Sequence, residues 1–538
     1  MSHSITLTTS IPTISPSHWT QTLGPCRVPS ETEANDIQEV ISYAESDLYK
    51  VGNEIDRVQE ILSQLCRRRD EISEHISNHR ALLSPVRKVP DELLAEIFTY
   101  CLPQFSEKKM KNNSFLRSQA PLLLARICSR WRTVAISTQR LWSFIRVEYG
   151  KLTIHRDMAN VALWLEKSGT HPLSLVLRER NEDQRNDTDD DGTSTPNMLD
   201  ILLPTSNRWQ CVEIFVLRDT FCGLSPIKGA LPLLQSLTVG MYDPELVPLT
   251  CDAFDIAPKL RKLHIGFGMM TISLSLPWHL LTEFACHGMA YMPTQCLDIL
   301  RHCQNLSSCS FKLLYDTPID PSTPPLHHSQ LRSLRIPPVC CLGPFFDCLT
   351  LPALRAVHLE GIQDLSLGWP GPQFLDLLKR SCCNLTTFTW GLESVRVENI
   401  KLCLETMPDL EELEIMPNLG VVLPDLLQAL TPGMTDEAKN CLCPKLQVIQ
   451  LSVDHTLDSQ DLYRFVKSRW NLDGVHREIG RLRSVRLSLR RLGEKELEGL
   501  REFQDAGLEI VIVHLTNDWN YGNISNLMPH KQQFTPDQ

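Results

Sequence analysis

A short acidic segment, DTDDDG, carries residue types that could bind a metal ion. Asp187, Asp189, Asp191 and Gly192 match the first six positions of a calcium-binding EF-hand loop. The twelfth position supplies a bidentate carboxylate in such loops, and here it is Met198. Neither flank shows a helical pattern. The segment is therefore predicted to be a solvated acidic loop, and we expect no metal ion and no cofactor in this protein.

The thiol and imidazole groups are numerous but scattered. The chain has 19 cysteines and 17 histidines, and no two cysteines have CxxC spacing. An odd number of cysteines within apolar patterns indicates buried, reduced thiols. His327 and His328 stand in a proline-rich segment and are expected to face water. No phosphate-binding, dinucleotide-binding, serine-hydrolase or zinc-protease motif occurs, so the sequence favours a protein that is not an enzyme.

Charge and hydropathy argue against two classes of partner. A net charge of −11 disfavours nucleic-acid binding, because affinity for phosphate backbones comes mainly from clustered Lys and Arg. No segment approaches the ~18 continuous apolar residues of a membrane helix. The first 20 residues lack a basic start followed by an apolar run, so no secretory signal is predicted. We expect an intracellular protein of the cytoplasm or nucleus, without nucleic-acid or membrane partners.

The elements that would position functional groups fall into five segments. Residues 1–36 are rich in Ser, Thr and Pro and are predicted to be disordered, and 516–538 are predicted to form a flexible tail. Between them, apolar patterns predict a heptad helix over 37–83, a small helical module over 84–148 and a repeat array over 149–515.

The heptad pattern runs from Ile37 to Leu83. Alternating steps of four and three residues reach fourteen seam positions, and only Arg69 and His79 among them are not apolar. A long coiled-coil-like helix is predicted. Its seam could be covered by self-association, by another partner or by the rest of its own chain, and the sequence leaves these alternatives open.

The segment VPDELLAEIFTYCLP begins as a helix should. Pro90 fits the first turn, where its missing N–H costs nothing. Asp91 and Glu92 follow, and negative charge is favourable at this end of a helix. An amphipathic helix is predicted, with one apolar stripe formed by Leu93, Leu94, Ile97, Phe98 and Cys101.

A second apolar segment, LLLARICSRWRTVAISTQRLWSFI, follows after a polar insert over 104–119. Its apolar residues again recur at helical spacing, and one or two further helices are predicted. Together the two segments resemble an F-box, in the form with a preceding coiled-coil-like helix that is common in large families of mushroom-forming fungi. The resemblance covers residues 84–145, and Val89 stands where leucine is usual.

The resemblance implies docking onto a Skp-type adaptor and, through it, a cullin-based ubiquitin ligase. The residues that it implies for facing or framing the adaptor, or for supporting the module, are Val89, Pro90, Leu93, Leu94, Ile97, Ile127, Trp131 and Trp142. Some of them are expected to form the module's own core.

The long C-terminal part repeats a short apolar motif typified by LRKLHI. Copies start 21 to 36 residues apart at Leu234, Leu260, Leu281, Leu306, Leu331, Leu354, Leu385, Leu410, Leu446, Leu482 and Leu508. Helix-like pieces such as TQCLDILRHC, PQFLDLLKRSC and SQDLYRFVKSRW lie between them, and WQCVEI at Trp209 and PLSLVL at Pro172 are interpreted as earlier strands. Strand plus helix at this period resembles a degenerate leucine-rich repeat.

The fold class predicted is therefore α/β: a long N-terminal helix, a small all-α module, and a leucine-rich-repeat-like solenoid with parallel strands. The motif leucines are interpreted as core, and a protein target would contact polar residues between them. Candidates, which the sequence does not rank, are Gln235, Arg261, Lys262, Arg332, Arg335, Glu411, Glu412, Glu414, Arg483 and Arg486.

Two functions remain open. One is a substrate-recognition subunit of a Skp/cullin/F-box ubiquitin ligase, which holds the adaptor through the F-box and an unidentified protein through the solenoid. The other is a scaffold that uses the heptad helix and the solenoid for protein binding without ubiquitin transfer.

Overall fold

The computed structural model consists of two compact units, Met1–Leu94 and Ala95–Gln538. The residues that the structure describes are 19, 27–102, 113–180, 197–242, 248–269, 272–286, 288, 290–313, 319–320, 322–336, 342–360, 369–391, 397–415, 423–432, 441–453, 459–470, 479–489 and 499–514. The acidic segment from Asp187 to Gly192 and the expected tail over 516–538 lie outside the described residues.

In its described residues, the first unit contains one long helix, α1 (Glu31–Leu82), of 52 residues. Ser30 and Glu33 form a capping box, in which each side chain pairs with the backbone N–H of the other residue. This cap starts the helix before Ile37, the first seam position. Residues 31–36 are therefore helical, although the sequence predicted that they would be disordered. The heptad helix itself is present, and none of its residues is buried. One 3-10 turn, Pro85–Lys88, follows.

Short helices connect this region to the sheet. They are α2 (Asp91–Thr99), the 3-10 turn Leu124–Arg126, α3 (Ser129–Ser137) and the 3-10 turn Gln139–Trp142. Helix α2 begins in the first unit and ends in the second. The helices predicted from both apolar segments are therefore present. The segment 84–148 is not all-α as predicted, because it ends in a strand, Phe144–Tyr149, that pairs with the sheet.

The second unit is built around parallel strands. The eighteen strands of the described residues are, in chain order, β1 (Phe144–Tyr149), β2 (Leu173–Glu179), β3 (Trp209–Leu217), β4 (Ser236–Tyr242), β5 (Leu249–Cys251), β6 (Lys262–Ile265), β7 (Ile272–Leu274), β8 (Glu283–Cys286), β9 (Ser308–Ser310), β10 (Leu326–His327), β11 (Ser333–Arg335), β12 (Leu349–Thr350), β13 (Ala356–Glu360), β14 (Thr387–Gly391), β15 (Glu412–Ile415), β16 (Val448–Val453), β17 (Ser484–Leu489) and β18 (Glu509–His514).

Fourteen of these strands form one sheet in the order β1-β2-β3-β4-β6-β8-β9-β11-β13-β14-β15-β16-β17-β18. Every strand pairing in it is parallel, and the strands follow one another in chain order, as in a solenoid. The pairs β5-β7 and β10-β12 form two small separate sheets. The α/β solenoid with parallel strands is therefore confirmed, including the early strands predicted near Trp209 and Pro172.

Helices and 3-10 turns connect the strands. The helices are α4 (Ile154–Lys167), α5 (Leu199–Leu202), α6 (Arg218–Cys222), α7 (Pro293–His302), α8 (Gly343–Asp347), α9 (Gly371–Ser381), α10 (Val397–Glu405), α11 (Leu423–Leu430), α12 (Ser459–Trp470) and α13 (Arg501–Asp505). The 3-10 turns are Leu203–Arg208, Ser225–Ile227 and Trp278–Leu280. Helices α7, α9 and α12 coincide with the three helix-like pieces that the sequence predicted.

One register position is apolar in every strand of the large sheet and forms the core. Its residues are Ile145, Leu175, Val212, Leu237, Leu263, Phe284, Cys309, Leu334, Val357, Phe388, Leu413, Ile449, Val485 and Ile510. All but the last are buried. Because side chains alternate along a strand, the neighbouring residues point to the other face, here called the open face.

The outer edge of β1 is covered by the chain itself. The N–H of Ser114 donates to the carbonyl of Arg146 at 2.9 Å, and the N–H of Arg146 donates to Ser114 Oγ at 2.8 Å. Asn113 Oδ1 accepts from the N–H of Glu148 at 2.7 Å. These bonds pair backbone groups at the sheet edge that could otherwise recruit a strand of another molecule.

The position of His328 corrects an expectation. His327 is exposed, but His328 is completely buried instead of facing water. Its Nδ1 accepts from the N–H of Leu331 at 3.2 Å, and its Nε2 donates to the carbonyl of Cys303 at 3.0 Å. The proline-rich sequence around His328 did not indicate this role, because the carbonyl that accepts its hydrogen bond lies one repeat earlier in the chain.

No helix among the described residues is long and apolar enough to cross a membrane.

Candidate functional site

Helix α2 has two apolar faces, of which one is exposed. Leu94 and Phe98 are 2% and 1% exposed, whereas Leu93 and Ile97 are 57% and 50% exposed. Residues four apart lie one above the other on a helix, so each pair forms a separate face. Core packing accounts for the first pair. The exposed pair is a candidate contact surface, because neighbouring exposed aliphatic side chains typically mark binding sites.

The residues before α2 set its start. The carbonyl of Pro90 accepts from the N–H of Leu94 at 3.0 Å, so this proline directly precedes the first helical residue. Its ring is exposed, and Val89 is half-buried. The helix predicted to begin at Pro90 therefore begins one residue later, at Asp91.

The second helical segment contributes one exposed and two packed side chains from the predicted set. Ile127 is 55% exposed. Trp131 is half-buried against Phe98, with 4.8 Å between the ring centroids. Trp142 is 2% exposed, and its ring lies edge-on to Trp164 at 4.9 Å.

The structure therefore assigns five of the eight predicted residues clearly to the core or to the surface. Leu94 and Trp142 are core residues and offer no surface to a partner, while Leu93, Ile97 and Ile127 are exposed. The sequence could not make this division, because all five are apolar. It also missed a further side chain, Leu123, which is 44% exposed and four residues before Ile127; that spacing was the available signal.

The open face of the sheet carries a second candidate surface, whose residues are half-buried or buried. One register position there is mostly polar: Arg146, Glu213, Thr238, His264, Ser310, Arg335, His358, Thr389, Glu414, Gln450 and Arg486, with Val176, Ala285 and Val511 as the apolar members. We call these fourteen residues the polar ladder. Neighbouring members come from neighbouring strands, so the ladder crosses the whole sheet.

Four members of the polar ladder form a hydrogen-bonded chain. Thr389 Oγ1 donates to Glu414 Oε2 at 3.1 Å, and the side-chain amide of Gln450 donates to the other oxygen of Glu414. His358 Nδ1 lies 2.8 Å from Thr389 Oγ1. Because the threonine proton is used for the carboxylate, Nδ1 of His358 must be the donor. The chain thus fixes the orientation and tautomer of the imidazole.

The pKa of His358 is lowered from its ordinary value of 6.5 to about 4, mainly by burial and further by the charge of Arg335. An unfolded chain therefore binds a proton near pH 6.5, where the folded chain does not. Stability should fall as the pH drops from about 6.5 towards 4. We expect His358→Asn to reduce this loss, measured as the pH dependence of the denaturation midpoint. An unchanged dependence would contradict the assignment.

A second charged cluster lies on the earlier strands. Glu283 Oε1 is 3.2 Å from His264 Nε2, and Glu283 Oε2 is 2.8 Å from Lys262 Nζ. The hydrogen bond with His264, opposed by burial and reinforced by Lys262, lowers the pKa of Glu283 to about 2. This carboxylate is therefore ionised at neutral pH, and its charge is already shared with two partners.

The ten charged or polar candidates from the sequence fall into two positions. Lys262, Arg335, Glu412, Glu414 and Arg486 lie within strands, whereas Gln235, Arg261, Arg332, Glu411 and Arg483 each directly precede a strand. The sequence reasoning missed His264, His358, Thr389 and Gln450. Each is the fifth residue of its motif copy, as in LRAVHL, and this shared position was the signal that could have identified the polar ladder.

Comparisons with known proteins give no family for this chain. No protein-family model matches it, and no curated protein matches it.

Proposed function

We propose that this protein is the substrate-recognition subunit of a Skp/cullin/F-box ubiquitin ligase. The observation that carries the proposal is the exposed pair Leu93 and Ile97 on α2. These are positions at which the resemblance to an F-box implies contact with a Skp-type adaptor. The exposure of Ile127, another implied residue, supports it further.

The exposed side chains are of a suitable type for a stable contact. Complete burial of one leucine or isoleucine side chain contributes roughly 1.5–3 kcal/mol. Several such anchors are needed, because association also costs translational and rotational freedom. Leu94 and Phe98 on the same helix are buried and offer no further surface to the adaptor.

In the proposed mechanism the chain performs no chemistry itself. The F-box-like module holds the adaptor, and the open face of the solenoid holds a target protein. The polar ladder provides both signs of charge for that contact, for example Arg335 and Glu414. Ubiquitin transfer becomes faster because the target's lysines are held at high effective concentration near the conjugating enzyme.

A binding assay with a recombinant Skp-type adaptor tests the proposal. We expect Leu93→Ala with Ile97→Ala to weaken binding by about 100-fold, since exposed anchors at the centre of an interface dominate its energy. Alanine is the best helix former, so α2 itself should persist. Isothermal titration calorimetry would give the affinity, and circular dichroism would verify the fold.

A matched control is Leu163→Ala on α4, which removes a side chain of similar exposure, 41%, outside the implied adaptor residues. It should bind the adaptor like the wild type. If the wild-type chain fails to bind, or if the double variant binds equally well, the ligase proposal is wrong and the scaffold function is favoured.

A further inference from the structure

The seam of α1 is exposed or half-buried along its whole length. Among its aliphatic positions, Leu48 is 73% exposed, Leu62 59% and Ile76 45%, and no residue of the helix is buried. The stretch from Ile37 to Leu83 measures about 70 Å at 1.5 Å per residue. Helices of this kind are normally stabilised by burying the apolar face. The apolar seam is therefore expected to be covered by another surface.

We propose that α1 pairs with α1 of a second copy of this chain as an antiparallel coiled coil, in full overlap and centred near residue 60. In heptad notation the a positions are Ile41, Leu48, Ile55, Leu62, Arg69, Ile76 and Leu83, and the d positions are Ile37, Ala44, Val51, Val58, Leu65, Ile72 and His79. Antiparallel packing places each a residue beside a d residue of the second copy. In this register, the residue numbers of the two partners in each a–d pair add up to the same total, as for Ile41 with His79 and Val51 with Arg69.

The two polar seam residues favour this direction. In a parallel pair in register, Arg69 would face Arg69 of the second copy, and His79 would face His79. Two arginines in one apolar layer repel each other and lose hydration. In the antiparallel register, Arg69 instead lies beside Val51 and His79 beside Ile41 of the second copy. Each of these two polar side chains then has an aliphatic neighbour in the seam.

The flanking g positions give an independent argument. They are Val40, Asp47, Glu54, Ile61, Arg68, His75 and Leu82, so the acidic members are in the first half and the basic members are in the second. In an antiparallel pair, g positions face g positions. The centred register places Asp47 opposite His75, and Glu54 opposite Arg68.

The apolar g residues match in the same register. Val40 faces Leu82 of the second copy, and Ile61 faces its own counterpart at the centre. All g pairs are then complementary in charge or in hydropathy. A parallel pair would instead oppose g to e, placing Glu54 by Gln59 and Arg68 by Ser73, where no charge is matched.

The charged g residues Glu54 and Arg68 already form ion pairs within their own helix, and dimerisation connects these ion pairs into a network. Glu54 Oε1 is 2.6 Å from Arg57 Nη2, and Arg68 Nη1 is 2.7 Å from Glu71 Oε2. Placing Glu54 beside Arg68 of the second copy joins the two pairs into four alternating charges. Networks of this kind contribute more than isolated surface pairs.

Charge exchange in the full-length chain tests the pairing and its direction. Either Glu54→Arg or Arg68→Glu alone places like charges opposite each other at two places in the dimer. We expect each to weaken dimerisation about tenfold in sedimentation equilibrium. The double variant restores both intermolecular pairs, and it should recover to within about threefold of the wild type.

The double variant separates dimer contacts from helix stability. Within each helix it keeps two unfavourable neighbours, because Glu54→Arg places a second cation by Arg57 and Arg68→Glu places a second anion by Glu71. Recovery can therefore come only from the second copy. Reversing an outward charge, Glu60→Arg, should have no effect on the dimer. The proposal is overturned if the wild-type chain remains monomeric across the micromolar range, or if the double variant is no stronger than the single variants.

Photo-crosslinking reports the direction without relying on charge. With p-benzoylphenylalanine in place of Asp47, an antiparallel dimer should give a crosslink to the tryptic peptide 70–80, which contains His75. A crosslink to peptide 51–57 would indicate a parallel pair and overturn the proposal. Because no adaptor is present in these experiments, their outcome is independent of the proposed ligase function.

Discussion

Replacing Arg469 with alanine is expected to destabilise the C-terminal part of the solenoid by about 3–5 kcal/mol. Arg469 lies on α12 and is completely buried. Its Nε donates to the carbonyl of Leu430 at 2.8 Å, and its Nη2 donates to the carbonyl of Leu442 at 2.7 Å. A further bond joins Nη1 to the carbonyl of Cys443 at 3.1 Å.

The physical reason is that one guanidinium satisfies backbone groups from two segments. Leu430 ends α11, and the last carbonyls of a helix have no partner within it. A cation is also favoured there by the helix dipole. Burial lowers the pKa of Arg469, yet arginine stays charged in proteins, so these carbonyls solvate the charge. Removing it leaves a cavity and several unpaired acceptors.

Hydrogen exchange over 423–489, combined with urea denaturation, would measure this loss. Arg464→Ala is the matched control, because Arg464 is on the same helix but its side chain is 72% exposed. Its ion pair with Asp461 is long, with 3.6 Å between the nitrogen and the oxygen. We expect the control to change stability by less than about 0.5 kcal/mol. Equal effects of the two substitutions would contradict the structural role of Arg469.

Replacing Trp142 with alanine is expected to destabilise the region between α3 and α4 by about 3–5 kcal/mol. The indole is 2% exposed, and its Nε1 donates to the carbonyl of Ala135 at 2.8 Å. Its ring lies edge-on to Trp164, so it links the last turn of the helical module to the first solenoid helix. Because Trp142 is buried, we expect Trp142→Ala to weaken adaptor binding only in proportion to the fraction of the helical module that is unfolded.

Two further variants distinguish packing from hydrogen bonding. Trp142→Phe keeps most of the ring volume but loses the bond to Ala135, and we expect it to cost about 1–2 kcal/mol. Leu152→Ala, at a position 94% exposed, should leave stability nearly unchanged. Thermal unfolding followed by tryptophan fluorescence is a suitable measurement. A Trp142→Ala variant as stable as the Leu152 variant would refute the packing argument.

The repeated motif was sufficient to predict most strands of the large sheet, although β1 lies in the segment that was predicted to be all-α. Each copy alternates apolar and polar residues, and a strand with one buried face requires that alternation. Leu263 in LRKLHI and Leu413 in LEELEI illustrate it, since both lie in the continuous apolar core position. Local chemistry was equally sufficient at the start of α2, where Pro90 and Asp91 indicated the first turn.

The orientation of α2 was not accessible from the sequence. Leu93 and Leu94 are identical neighbours in one stripe, yet one is exposed and the other is buried. The packing of Phe98 against Trp131, at 4.8 Å, contributes to fixing the rotation of the helix. Those two residues are far apart in sequence, so no local pattern reports their contact.

The sequence by itself determined most of the segments that become strands and helices, because hydropathic period and capping residues act over a few neighbours. It also determined the heptad seam and its distribution of charge. Only the tertiary structure decided the roles of Arg469 and His328. Charged or polar side chains are buried only where partners from distant segments satisfy them, and those partners come together only when the repeats stack.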